Sequence, residues 1–228
     1  MTVDYNFTKL YEFDRKFFTA YKKCFFVGID EVGRGSLAGP VIACAFSWGK
    51  KKVSLSPLIL EKLNDSKKIN KKTREKLYED LIKLGTYGIG YASVLEIEKL
   101  NILNATFLAM KRAYENLYLS INSHELEPYI LIDGNKFYPF INCLQSPIVD
   151  GDEKSSLIAS ASIIAKVYRD KLMCKVAKLK KYKCFGWRTN VGYGTPYHRQ
   201  AIKKRGLTPL HRKLFVRKVL SENRTIHS

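Results

Sequence analysis

Four acidic residues stand where short apolar runs end, each with glycine close by: Asp30 and Glu31 after FFVGI, Asp133 after YILI, and Asp152 after SPIVDG. In open α/β sheets, ligands and metals bind at strand ends, so these side chains are candidates for one site. Four carboxylates in one cleft repel each other strongly unless cations neutralise them. Oxygen donors without histidine or cysteine favour magnesium or manganese over zinc. Two such ions ~4 Å apart activate water and stabilise the leaving oxygen of a phosphodiester. The chemistry implied is metal-assisted phosphoryl transfer.

Charge points to the substrate. Lys and Arg number 40 against 21 Asp and Glu in 228 residues, a formal net charge of +19. Such an excess suits a polyanion such as nucleic acid, although biased base usage in a genome also enriches lysine. A glycosidase built on paired carboxylates would leave that charge unused. Hydrophobic residues make up 46%, as in a packed globular chain with one substantial core. The five cysteines (Cys24, Cys44, Cys143, Cys174 and Cys184) are scattered with no CxxC pair, the pattern of free thiols in a reducing compartment. The four histidines show no metal-ligand spacing, which argues against zinc. The first residues carry charges throughout, and no run approaches the ~18 apolar residues of a membrane helix. A cytoplasmic protein without membrane association is expected.

The elements that must position the four carboxylates are legible from the pattern. Residues 25–29, apolar apart from one glycine, read as a strand buried on both faces. Successive strand side chains point to opposite faces, so Asp30 and Glu31 can share a site only if the backbone leaves strand geometry there. Gly33 and Gly35 would allow that departure. The plainer alternative is a charged hairpin turn in water. A second strand begins at Val41, and residues 86–94 are β-like and can pair beside the first two. Between them, residues 71–84 read as an exposed helix with Leu77, Leu81 and Leu84 inward and Gly85 as its stop, preceded by a polar, basic loop at 64–68. Ile102, Ala105, Leu108, Ala109, Arg112 and Ala113 give residues 96–119 helical periodicity. Two short strands follow, one ending in Asp133 and one in the Asp150-Gly151-Asp152 run. A long helix opens at Ser155 and continues to Tyr182, its Ala159, Ser160, Ala161 and Ser162 small enough to lie close against a sheet. The tail is glycine-rich and aromatic, then basic and helical. The order is a mixed α/β sheet covered by helices.

GIDEVGRGSLAGPV, LNDSKK, LNILNATFLAM, LIDGN, GDEKSSLIASASIIAKVYRD, GYGTPYH and TPLHRKLF, in register across residues 27–215, resemble ribonuclease HII. The resemblance implies a ribonuclease H-like mixed sheet flanked by helices, with a small helical C-terminal region. It divides the chain into an N-terminal extension (1–23), a catalytic domain (24–185) and a basic, mostly helical C-terminal region (186–228). It implies hydrolysis of the RNA strand of RNA–DNA hybrids, and incision 5′ of single ribonucleotides in duplex DNA, leaving 5′-phosphate products. Those two nucleic acids would be the partners of a monomeric enzyme that uses two divalent cations, Mg2+ or Mn2+. By motif, Asp30, Glu31, Asp133 and Asp152 would be the catalytic metal ligands. Gly33, Arg34 and Gly35 would read the ribose 2′-hydroxyl, Tyr193 would stack on the neighbouring deoxyribose, and Lys67 and Lys68 would hold phosphates.

Two departures stand out. Ser36 replaces the proline usual after GRG, which predicts a slightly looser turn. Asp150 replaces a common lysine and would share a face with Asp152 if the strand continued, so it competes for the metal role. Ribonuclease HIII resembles the same core but carries a sizeable N-terminal domain. With about two dozen residues before the first strand, ribonuclease HII is favoured. Another nuclease of the same fold is the remaining rival. A P-loop reading of GRGSLAG lacks the GK[ST] that should follow.

Overall fold

The computed structural model describes residues 9–49, 57–64, 70–121, 126–139 and 142–221. Strands β1 (Cys24–Val32), β2 (Val41–Ser47) and β3 (Thr86–Ala92) form the antiparallel meander expected of the first three apolar runs. Strands β4 (Glu127–Asp133) and β5 (Leu144–Ile148) run parallel to β1 on its other side, giving the order β3-β2-β1-β4-β5. The opening strand is therefore central, which is why its residues 27–30 are buried.

Helices cover both faces. Helices α1 (Lys9–Ala20), α2 (Pro57–Asn64) and α3 (Lys71–Leu84) pack with α5 (Ser156–Val176) on one side, and α4 (Val94–Ser120) lies on the other. Small residues set these distances. A Cβ on Gly28 would lie 2.3 Å from the Leu157 carbonyl carbon, so the α5 backbone rests directly on β1. On the opposite face, Gly88 and Gly90 make the same room for α4, where Ala109 and Ala113 are fully buried. Ser93 and Glu96 close a capping box at the start of α4, a device that stabilises a helix by about 1 kcal/mol.

Two expectations need correction, those for α4 and α5, while α2 was not anticipated and Gly85 ends α3 as expected. Helix α2 carries Leu60 and Leu63 into the core, although its eight residues were too few to show a period. Helix α4 is broken at Asn101, whose φ of 67° is left-handed and whose Oδ1 accepts from the amides of Leu103 and Asn104, restarting the helix. Helix α5 stops at Val176, and residues Lys180–Phe185 form a 3₁₀ turn instead. Gly85 does end α3, but with an ordinary φ of −119°. Its side chain is missing for lack of space, since a Cβ would lie 2.3 Å from the Phe46 ring.

After α5 the chain forms a short helix α6 (Trp187–Asn190), then α7 (Pro196–Arg205) and α8 (Lys213–Ser221). Phe185, Trp187, Val191 and Ile202 make a third apolar cluster with Leu37 and Ala38 from the loop after β1. The C-terminal region is thus packed against the segment that follows Asp30 and Glu31. All five cysteines are unbridged thiols, and among the described residues no helix is long and apolar enough to cross a membrane.

Candidate active site

Asp30 and Glu31 lie inside β1, paired with Cys44 and Ala43 of β2, so the backbone does not leave strand geometry as expected. Pairing persists to Val32. Alternation sends Asp30 toward α5, where Ser162 hydrogen-bonds it, and Glu31 toward the opposite face. Both still reach a common neighbour, because they sit at the open end of the sheet. In the β1–β4 register Ile29 pairs with Ile132, so Asp133, the last residue of β4, comes beside Asp30.

The electrostatics show how close these groups are. Burial, then Glu31 and Asp133, push the Asp30 carboxyl well above the usual range. Burial also raises Glu31, with Asp133 adding to it, while the Arg34 guanidinium at 2.9 Å opposes the shift. Asp30 Oδ1 accepts from the Glu31 amide at 2.6 Å. Asp133 Oδ1 accepts from the Gly151 amide at 2.7 Å, which ties the end of β4 to the 3₁₀ turn Gly151–Glu153 that carries Asp152. The structure therefore gathers Asp30, Glu31 and Asp133 and fastens the turn of Asp152 to them.

Asp150 is different. Strand β5 has ended at Ile148, and Asp150 is an exposed turn residue with a left-handed φ of 53°. The strand continuation that would align it with Asp152 does not occur. Among the described residues no group of three or more His, Cys, Asp or Glu side chains is arranged as a ready ligand set. The donor chemistry nonetheless fits a hard divalent cation: mutually repelling, partly buried carboxylate oxygens.

Gly33, Arg34 and Gly35 form the turn directly after β1. Gly33 has a φ of 91°, a left-handed value that favours glycine. Ser36 does not loosen this turn. Its buried hydroxyl donates to the Gly33 carbonyl at 2.8 Å and accepts from Arg169 Nη2 at 2.8 Å. Tyr193 is half-buried on the turn before α7, with Lys166 Nζ 5.7 Å and the Arg169 guanidinium 5.4 Å from its ring centre. The Gly192 carbonyl accepts from the amides of Leu37 and Ala38, so the Tyr193 turn lies alongside the loop that Gly33 opens. A cleft of about 550 Å3 in the C-terminal region is lined by residues that include Lys183, Arg188, Thr195 and Tyr197. Lys67 and Lys68 lie outside the described residues.

Several residues of this region gave no sequence expectation. Arg212 donates to the Gly39 carbonyl from Nε and Nη2 and to the Arg34 carbonyl from Nη1. Arg169, His198 and His211 are equally buried. A signal for Arg169 was present: Ala161, Ala165 and Met173 occupy the same i, i+4 row and are all buried, so the arginine interrupts an inward-facing stripe.

Comparison with known proteins shows the family and the fold. The ribonuclease HII family profile matches residues 27–218. A ribonuclease HII of Fusobacterium nucleatum is 47% identical over 196 residues, covering 85% of this chain and 86% of the relative. Among solved structures, the ribonuclease HII of a PCNA complex from Archaeoglobus fulgidus superposes with a TM-score of 0.65 at 23% identity, over 82% of this chain and 93% of that one. Bst ribonuclease HIII in complex with Mn2+ gives 0.63 at 16% identity, over 87% and 70%. With carboxylates gathered at the strand ends of a ribonuclease H-like sheet, and that similarity along nearly its whole length, the chain belongs to the ribonuclease HII family of endoribonucleases.

Proposed function

We propose that this protein is a divalent-metal-dependent endonuclease that hydrolyses the RNA strand of RNA–DNA hybrids and cuts 5′ of single ribonucleotides embedded in duplex DNA. The observation that carries this reading is the crowding of Asp30, Glu31 and Asp133 at the sheet end, where burial first, with Glu31 and Asp133 adding to it, raises Asp30, and burial with Asp133 beside it raises Glu31. Such an arrangement is costly in water alone and is relieved by bound cations. Asp30, Glu31, Asp133 and Asp152 would hold Mg2+ or Mn2+. When bound, the ions supply Lewis acidity toward the scissile phosphate and acidify a water molecule.

The chain's own residues supply the rest. The Ser162 hydroxyl and the Glu31 amide orient the Asp30 carboxylate, and the Gly151 amide orients Asp133. Arg34 holds Glu31 and keeps part of its charge in place. The peptides of Gly33, Arg34 and Gly35 contact the 2′-hydroxyl, the group that distinguishes RNA from DNA. The Tyr193 ring covers the following sugar, where an added hydroxyl would be crowded. Lys67, Lys68 and the basic cleft at Lys183 and Arg188 neutralise phosphates, which supplies most of the affinity.

The test is a duplex containing one ribonucleotide, with the cut position mapped across a magnesium and manganese titration. Asp30→Asn and Asp133→Asn should each abolish cleavage while hybrid binding survives. Full activity in either folded variant removes the metal-ligand assignment. Loss of binding together with cleavage would mean that these carboxylates position substrate instead.

A further inference from the structure

One buried side chain touches both halves of the sugar-reading surface proposed above. Arg169, in α5, has no exposed surface. Its guanidinium donates to four neutral acceptors: Nε to the Pro40 carbonyl at 3.1 Å, Nη2 to the Ser36 hydroxyl at 2.8 Å and the Ala38 carbonyl at 3.1 Å, and Nη1 to the Val191 carbonyl at 2.9 Å. Three of these belong to the loop opened by Gly33, and the fourth to the turn that presents Tyr193. The same group fills the space beside Gly33, where a Cβ would lie 2.3 Å from Nε, and sits 5.4 Å from the Tyr193 ring centre.

Its fourth acceptor is unusual. Val191 has a left-handed backbone, with φ 41° and ψ 35°, which is an outlier for a β-branched residue. Strain of this kind persists only where surrounding contacts over-determine it. Here Arg169 grips the Val191 carbonyl, while Asn190 bridges the Phe185 carbonyl and the Gly192 amide. Burying a guanidinium among neutral groups is costly, and an apolar residue could fill the volume at least as stably. An apolar residue could not hold acceptors from two segments at fixed distances.

We infer that Arg169 is a positioning residue for substrate choice: it sets the spacing between the Gly33–Gly35 peptides and the Tyr193 ring, and with it the preference for a ribose followed by a deoxyribose. Ser36 takes part in the same device, since its hydroxyl joins Arg169 to the Gly33 carbonyl. The proline common at this position in the family could make neither bond. This inference rests on the reading that those two segments contact adjacent sugars, and its test separates the two ideas.

The measurement is single-turnover cleavage by the full chain of two duplexes, one with a single embedded ribonucleotide and one with a continuous ribonucleotide run. The ratio of the two rates is independent of the fraction of folded enzyme, so loss of stability alone does not move it. Arg169→Lys keeps the charge but not the planar fork. It should lower the ratio about tenfold or more, since small misplacements at a reacting centre are expensive. The loss should fall on kcat with KM little changed. Ser36→Ala, which leaves the other three bonds in place, should shift the ratio the same way by less. The double variant Arg169→Lys/Tyr193→Ala should fall no further than Tyr193→Ala, because both act through one ring. Independent, multiplicative losses overturn the inference, as does an unchanged ratio in folded Arg169→Lys. Should Arg169→Lys not fold, an unchanged ratio in Ser36→Ala overturns it. If Tyr193→Ala itself leaves the ratio intact, the sugar reading fails and the inference falls with it.

Discussion

The Nε2 atoms of His198 and His211 lie 3.2 Å apart in the interior of the C-terminal region, and their neighbours fix where each proton sits. The Thr208 amide donates to His211 Nδ1 at 2.9 Å, so His211 carries its proton on Nε2. The Trp187 indole donates to His198 Nε2 at 3.0 Å, so His198 carries its proton on Nδ1 and donates to the Tyr193 carbonyl at 2.9 Å. Both rings are neutral, and together they anchor the turn of Tyr193. Burial first, then His198, push His211 down to about 4. A group with a depressed folded value contributes stability that is present above the unfolded value, about 6.5, and is lost as pH falls toward 4. The loss amounts to at most about 3 kcal/mol. Urea denaturation should show stability falling across that window, and His211→Asn should flatten the fall. An equally steep acid limb in the variant would rule out His211 as its source.

Asp14 works in the opposite direction. It reaches from α1 to the first turn of α5, where its Oδ2 accepts from Ser156 Oγ at 2.6 Å and the Leu157 amide at 3.2 Å. Among the described residues its buried Oδ1 has no hydrogen-bond partner. Burial raises it to about 6 against the bonds from Ser155, Ser156 and Leu157. Its stabilising contribution is therefore complete below about 3.9 and is lost as pH rises through about 6. Asp14→Asn removes that contribution, so the variant should lose more stability than the wild type on acidification from pH 6 to 4. The difference should be on the order of 3 kcal/mol at most. Taking it between the two proteins, both metal-free, cancels the other carboxylates. Parallel curves would show that Asp14 titrates as if exposed.

What the sequence revealed and what it hid follow from the range of the interactions. Strands β1 to β5 and helix α3 are bounded by local punctuation: glycine, proline, aspartate, and the Asn70 cap whose Oδ1 accepts from the Thr73 amide. The metal-ligand candidates drew notice because each follows an apolar run with glycine close by: Asp133 ends β4, Asp30 and Glu31 stand just before the end of β1, and Asp152 lies in the turn after β5. The break at Asn101 was hidden by apolar residues that keep helical spacing on both sides of it. The roles of Arg169 and the histidine pair could not be read locally. Arg169 bonds to Ser36, 133 positions away, and His198 and His211 become neighbours only when α7 turns back at Gly206. Ser36 shows the limit of reading by substitution: judged against proline it predicted a looser turn, yet its hydroxyl makes two bonds that tighten it.

The two aspartates beside Gly151 should separate cleanly. Asp150 is exposed in a left-handed turn, whereas Asp152 follows the glycine whose amide holds Asp133. Asp150→Lys should leave the magnesium titration of cleavage unchanged and lower KM, because an added cation strengthens phosphate contact. Any stability cost of the left-handed backbone should stay within about 1 kcal/mol. Asp152→Asn should abolish cleavage at every magnesium concentration. Equal loss in both variants would make Asp150 a ligand and require the turn to rearrange on metal binding.

Gly35 offers the sharpest separation of substrate contact from folding. A Cβ on Gly33 would collide with Arg169 at 2.3 Å and would also require a left-handed backbone, so Gly33→Ala should damage the fold itself. Gly35 is the reverse case: it is exposed, its φ is not positive, and nothing lies within 4 Å of where a Cβ would stand. The folded chain alone places no demand on glycine there. Gly35→Ala should therefore melt within about 1 kcal/mol of the wild type, with the reduced entropy of the unfolded chain favouring the variant. If the peptide beside it approaches a ribose, the added methyl group should intrude on the sugar and cut kcat/KM at a single ribonucleotide by roughly tenfold or more, as a displacement near 1 Å at a reacting centre would. Thermal melting and single-turnover cleavage of the same preparation decide the matter. A stable Gly35→Ala variant with full activity would move the site of 2′-hydroxyl contact away from this glycine, because no structural role would remain to explain it.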